Sequence, residues 1–366
     1  MQALIRTHAA LLIIGVASFV LMGAGQSLYG PALPAFARDL GLPLADAGWL
    51  VSAHWIGCFL GVGFMFRWGN RIAPRQVLAM MAAGAGLIGL SPGLWGTLAG
   101  AVIFGAGYGC ATVVFNPRVL ATFGDMGASM LSLLNAVFSL GAIAAPVIFL
   151  ALGSSPALTF AVVAVGCAVT CLFAGGAGKT QMASFTPPAP YRLHWGILCF
   201  GMIAIGMEAC LIGLGPTALV QTGKTEAVAA ELLSYFFVAF LVARTALVFA
   251  AQYVPSFTLH TCALVGAAIA ALYGALGDPG VAFVLIGFVA GMFFPSFFVT
   301  AARKMGTDAR VPPTIIAAGL VGGILSPVIM TKVMASLGER GFFWVIASAA
   351  GAMAIAALLS LRSMNR

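Results

Sequence analysis

Charge is what this sequence lacks most. Only 7% of its 366 residues are Asp, Glu, Lys or Arg, and 62% are hydrophobic, whereas an ordinary soluble domain carries about 25% charged residues. Water is therefore excluded as the main solvent of the chain. The 17 basic residues outnumber the nine acids for a net charge of +8. A basic stripe would suit nucleic acid, but the Lys and Arg residues stand singly between long apolar runs. They read as loop charges, and no nucleic-acid partner is expected. Paired cysteines are missing too. Cys58, Cys110, Cys167, Cys171, Cys199, Cys210 and Cys262 fall in or beside apolar runs, with no CxxC and no Cys/His spacing. They read as free thiols used in packing, so neither a metal nor another cofactor is expected. Gly178-Lys179-Thr180 lacks the upstream spacing of a nucleotide loop. No enzyme motif is present, and any work done by the chain has to draw on a gradient.

What is abundant is apolar sequence in long runs. A membrane helix needs about 20 residues, and twelve such spans fit: 9–36, 45–66, 76–93, 95–117, 129–151, 156–176, 195–220, 230–251, 257–276, 280–301, 312–334 and 341–361. The start, MQALIRTHAALLIIGVASFVLMGAG, imitates a signal peptide, but its apolar run outlasts an h-region and further spans follow, so it reads as an uncleaved first helix. An even number of spans puts both termini on one side. With that side cytoplasmic, Arg6, Arg67, Arg71, Arg75, Arg118, Lys179, Arg192, Arg303, Lys304, Arg310, Arg362 and Arg366 lie inside, against Arg38, Lys224, Lys332 and Arg340 outside. This satisfies the positive-inside rule. Asp39, Asp46, Glu226, Glu231, Asp278 and Glu339 fall outside. An integral protein of the bacterial inner membrane, with cytoplasmic termini, is expected.

The two halves repeat. Ser52 and Ser234, Gly105 and Gly287, and Gly109 and Gly291 each stand 182 apart, and GAIAAPVI (Gly141 to Ile148) matches GGILSPVI (Gly322 to Ile329) at 181. This predicts an all-α membrane protein of twelve helices in two pseudo-symmetric six-helix bundles, 1–174 and 195–366. They are joined by a polar Pro/Gly-rich cytoplasmic linker over 175–194. Gly105, Gly107, Gly109, Gly319, Gly322 and Gly323 allow close helix approach, and Pro146, Pro295 and Pro327 favour kinks. Both features suit rocking bundles, and both are also common in any membrane helix.

Five short motifs in order resemble the major facilitator superfamily and, within it, the fucose–proton symporter family. They are FNP (Phe115 to Pro117), LNAVFSLGAIAAP (Leu134 to Pro146), GMEACLIG (Gly206 to Gly213), FFPSFFVTAARKMG (Phe293 to Gly306) and GGILSP (Gly322 to Pro327). The resemblance implies the major facilitator fold and sugar–proton symport. The departures are specific. The family's first helix carries an Asn-Asp pair where GQSLYGP (Gly25 to Pro31) offers Gln26 and Ser27. Its span-4 glutamate is replaced by Thr112. The aspartate of the loop between spans 2 and 3 is replaced by Asn70, with Arg71 and Arg75 remaining as the basic part of that gating loop.

Within the spans, Glu208 is the one deep acid. A charge at the bilayer centre costs roughly 2.5–3.5 kcal/mol, so a carboxyl kept there is a candidate proton carrier in a wet cavity; its rival role is a neutral structural hydrogen bond. Arg244 is the one deep base. It either neutralises Glu208, clamps an anionic substrate through its planar fork, or snorkels to the interface. His54 is a second candidate for proton coupling, with a cavity hydrogen bond as the alternative. Asn116 and Asn135 offer amide donors and acceptors for substrate hydroxyls or for helix–helix bonds, the resemblance favouring substrate at Asn116. Gln26 and Tyr29 join them because span 1 lines the cavity in the fold that the resemblance implies.

The expectation is a monomeric secondary transporter of a small polar, sugar-like solute, coupled to protons and working by alternating access. A proton-driven exporter of amphipathic compounds is the alternative, weakened by Ala145-Pro146 in place of a Gly-Pro pair. A sensor or scaffold without flux is a third, disfavoured because long soluble extensions are lacking.

Overall fold

The structure is a computed structural model that describes residues 8–43, 46–68, 72–90, 93–123, 127–177, 190–308 and 310–366. These residues are almost entirely helical. In chain order the helices are α1 (Ala9–Asp39), α2 (Gly48–Trp68), α3 (Pro74–Gly89), α4 (Leu94–Thr122), α5 (Gly127–Ala151) and α6 (Pro156–Phe173). After a 3₁₀ turn at Ala174–Ala177 come α7 (Trp195–Gln221), α8 (Glu226–Ala250), α9 (Ser256–Leu276), α10 (Pro279–Ala290), α11 (Phe293–Met305), α12 (Val311–Ser336) and α13 (Gly341–Asn365). Among the described residues eleven segments are long and apolar enough to cross a membrane, Pro279–Met305 counting as one. The 16-residue α3 is the twelfth, at about 24 Å of rise. Large apolar side chains such as Ile13, Phe173, Ile269 and Leu359 stand exposed, as lipid-facing residues do. The chain is an integral membrane protein.

Local chemistry marks the helix starts. Ser155 Oγ accepts from Leu158 N at 3.3 Å, with Pro156 beginning α6. Thr225 Oγ1 accepts from Val228 N at 3.2 Å, and Glu226 in the same first turn favours the positive helix end. Asp278 Oδ1 accepts from Gly280 N at 2.7 Å and Val281 N at 2.9 Å.

The expected tenth span, 280–301, is not one helix: it is divided at Gly291 and Met292 into α10 and α11. Pro295 explains the place of the break. It has no N–H to give the carbonyl of Gly291 four residues earlier, and its ring crowds that carbonyl. Pro31, Pro34, Pro117, Pro146, Pro216 and Pro327 stay inside continuous helices.

The chain separates into two compact units, Met1–Leu40 with Ala53–Ser184, and Gly41–Ser52 with Phe185–Arg366. Gly41–Ser52, expected within the 1–174 bundle, thus groups with the second unit, where Ser52 Oγ donates to Ile324 O at 2.8 Å. Most of the linker segment, 178–189, lies outside the described residues.

Inside each unit the sequence repeat recurs as a repeat of contacts. In the first, Gly105 and Gly109 of α4 lie directly against the carbonyls of His54 and Cys58 on α2. In the second, Gly287 and Gly291 meet the carbonyls of Phe236 and Phe240, where an added Cβ would come within 2.6 Å of each oxygen. The carbonyl partners are themselves 182 residues apart. Likewise Gly141 of α5 lies against the carbonyl of Val20 on α1, and Gly322 of α12 against that of Met202 on α7. Backbones this close exclude side chains, so glycine is required at these crossings.

Candidate functional site

Each unit holds a polar cluster. In the first, α1 supplies Gln26 and Tyr29, α2 supplies His54 and Trp55, and α4 supplies Tyr108. Tyr108 donates its hydroxyl hydrogen to Gln26 Oε1 at 2.8 Å. The His54 ring packs against Tyr29 and Tyr108, each 5.2 Å away between centroids, and against Trp55 and Phe104. His54 is 1% exposed and Tyr29 2%. Neither ring nitrogen of His54, nor the Tyr29 hydroxyl, has a hydrogen-bond partner in the structure. A buried polar atom left unpaired costs about 1–3 kcal/mol, so this is a costly arrangement for a purely structural core.

Asn116 sits further along α4, half-buried, with Oδ1 closed from solvent and unpartnered. Asn135, on α5, is exposed and is not gathered with Gln26, Tyr29 and His54. Arg75 is exposed at the start of α3, its carbonyl accepting from Cys171 Sγ at 3.3 Å. Asn70 and Arg71 lie outside the described residues.

In the second unit, Glu208 is the central residue of the 27-residue α7. It is half-buried, and its Oε2 is shut off from solvent without a hydrogen-bond partner. Gly206, two residues before it, lies against Ser326 Oγ of α12, so a small residue lets α7 and α12 close together at this level of the helix. Arg244 of α8 is near enough for its charge to act on Glu208. Its guanidinium also lies 4.3 Å from the Phe240 ring centroid, a cation–π contact on its own helix.

Repeat arithmetic links the clusters: Gln26 and Glu208 are 182 apart, each eight residues ahead of a helix proline, Pro34 and Pro216. A neutral amide in one repeat stands where the other has an acid.

Sequence reasoning missed two residues here. Tyr108 lies among Gly105, Gly107 and Gly109, and its hydroxyl gave no periodic signal. His260 of α9 is fully buried among Phe200, Phe257 and Phe293. Its Nδ1 is 3.4 Å from Ser296 Oγ, at the start of α11, and its Nε2 has no partner. A histidine inside an apolar run was the available clue.

A family model described as Major Facilitator Superfamily matches residues 15–311. The chain belongs to that superfamily. No curated protein sequence matches it, but solved structures share its fold. A mutant of nucleoside transporter NupG superposes with a TM-score of 0.77 at 14% identity, covering 98% of this chain and 100% of that one. A POT family transporter bound to a thioalcohol-conjugated peptide gives 0.76 at 12%, covering 96% of each chain. The E. coli fucose:proton symporter FucP, as a mutant, gives 0.64 at 18%, covering 95% of this chain and 98% of that one. Family and fold are those of a membrane transporter rather than an enzyme.

Proposed function

We propose that this superfamily member is a monomeric, proton-coupled secondary transporter of a small polar, sugar-like solute in the bacterial inner membrane, with both termini cytoplasmic. The observation that carries this reading is Glu208: a carboxyl at the centre of a membrane helix, half-buried and unpartnered at Oε2. Such a group can take up a proton when it faces one aqueous side and release it when it faces the other. When Glu208 is ionised, Arg244 compensates its charge. When it is protonated, that compensation is lost and the balance of the helix pair changes. Two protonation states therefore come with two local arrangements, which is what alternating access requires.

The sugar-like assignment draws on the FucP likeness and the five motifs. It also draws on the first unit's chemistry: amides at Gln26 and Asn116, hydroxyls at Tyr29 and Tyr108, and aromatic faces able to stack on a ring. His54 is a second proton acceptor in that unit.

The test is purified protein in proteoliposomes loaded with a pH-reporting dye. L-fucose, D-xylose and uridine, first screened by thermal shift, are added under an imposed pH gradient. Proton movement evoked by one of them, abolished in Glu208→Gln while downhill exchange survives, supports the reading. Undiminished gradient-driven accumulation in Glu208→Gln removes Glu208 from the mechanism.

A further inference from the structure

We propose that the basic end of the second unit is a docking surface for anionic phospholipid headgroups of the surrounding membrane. Contacts fix which residues share this end. Arg192 N donates to Met305 O at 2.8 Å, beside an antiparallel bridge between Tyr191 and Gly306. Arg303 Nη2 donates to Met364 O at 2.7 Å and Lys304 Nζ to Ser363 O at 2.6 Å. The Arg310 guanidinium lies 4.6 Å from the Tyr191 ring centroid. Six basic side chains therefore gather: Arg192, Arg303, Lys304, Arg310, Arg362 and Arg366.

Among the described residues of this end the acid is Asp308, and it is already bound to Arg310 at 2.8 Å. Six bases less one acid leave +5. The opposite end of the same unit differs in sign: Lys224, Lys332 and Arg340 stand against Asp46, Glu226, Glu231, Asp278 and Glu339, three less five, or −2. The charge is thus segregated along the helix axes, not merely in excess.

Depth is set by a neighbour. Trp195 opens α7 three residues after Arg192 and is 70% exposed, with Leu193 exposed beside it. A tryptophan so placed sits at headgroup level, which puts the guanidinium groups among the phosphates rather than in bulk water. Arg303 and Lys304 are occupied with the C-terminal carbonyls of α13, where cations offset the helix dipole. Arg192, Arg362 and Arg366, all exposed, remain for the lipid, and their planar forks suit a phosphodiester.

The experiment uses the full chain, purified in detergent and titrated with phosphatidylglycerol or phosphatidylcholine at matched mole fraction. It is read by native mass spectrometry and thermal unfolding. Phosphatidylglycerol is expected to be retained preferentially and to raise the melting temperature, both effects fading with added salt. Each exposed arginine contributes on the order of fivefold in lipid association, so the triple variant Arg192→Gln, Arg362→Gln, Arg366→Gln should lose roughly a hundredfold. Lys224→Gln with Lys332→Gln, at the other end, should lose nothing. Equal retention of the two lipids by the unaltered protein overturns the proposal, as does undiminished retention by the triple variant. So does an equal rise in melting temperature with inorganic phosphate, which would reduce the surface to a general anion site. The comparison of lipids on the unaltered chain stands even if the triple variant does not fold.

Discussion

Tyr108 donates a hydrogen bond to Gln26 Oε1 across 2.8 Å, joining α4 to α1 inside the first unit. Gln26 is buried, so removing the donor strands an amide oxygen. Tyr108→Phe is expected to cost about 1–3 kcal/mol, the penalty of an unsatisfied buried polar group. Adding Gln26→Leu removes both partners and should restore part of that loss. Thermal unfolding of the two single variants and the double variant in detergent measures the coupling. If the losses add with no interaction energy, the bond contributes nothing.

The α2–α4 crossing makes a sharper prediction about glycine. A methyl group at Gly105 would collide with the carbonyl of His54, which is backbone and cannot rotate away, whereas a methyl at Gly63 meets nothing within 4 Å. Gly105→Ala should therefore destabilise by about 1–3 kcal/mol through overpacking. Gly63→Ala should be neutral or gain up to about 1 kcal/mol from helix propensity. Gly287→Ala, the repeat mate of Gly105, should behave like Gly105→Ala. Comparable melting temperatures for Gly63→Ala and Gly105→Ala would rule out the close crossing.

Spans and repeat were readable from the sequence because both are long-range patterns: apolar runs the length of a bilayer, and small residues recurring at one offset. The break at Gly291 and Met292 was not. Pro295 announced a distortion, but six other prolines sit in helices that continue, and only tertiary packing decides which one interrupts. Glu208 and Arg244 stood out because charge is rare in apolar sequence. Their proximity was not legible, since they lie on separate helices and neither spacing nor composition reports where two helices face each other. Tyr108 and His260 escaped for the opposite reason. Each is amphipathic, common enough in membrane helices, and gains meaning only from Gln26 and Ser296 across the packing seam.

Asp278 gives a pH dependence outside the membrane-spanning segments. Its carboxylate accepts from Val281 N and Gly280 N at the start of α10, and with Lys224 and Arg340 nearby its pKa is held below the usual aspartate value. The depressed folded value means that this cap stabilises fully above the unfolded pKa of about 4. The contribution is lost as pH falls through the folded value. Asp278→Ala should cost about 1 kcal/mol at neutral pH, the usual worth of an N-cap. The difference between variant and unaltered protein should shrink below about pH 4. Thermal unfolding at a series of pH values reads it, and a gap that stays constant into acid would exclude the carboxylate as its source.

Glu208 and Arg244 make the last case. Removing one member of a buried pair leaves the other charge uncompensated, a loss of about 3–5 kcal/mol when burial is complete. Both residues are half-buried, so screening by solvent should reduce this to about 1–2 kcal/mol. Arg244→Gln is expected to show that loss at neutral pH and progressively less as acid neutralises Glu208. Glu208→Gln should show its own loss without that acid dependence. The double variant Glu208→Gln, Arg244→Gln should be more stable than the sum of the singles predicts, because no lone charge remains. These are stability measurements and need no substrate, so they separate the electrostatic pairing from the transport role. If Arg244→Gln is equally destabilised at neutral and acid pH, Arg244 does not compensate the ionised carboxyl. The charge-linked step of the proposed cycle then loses its partner, even if Glu208 itself still carries a proton.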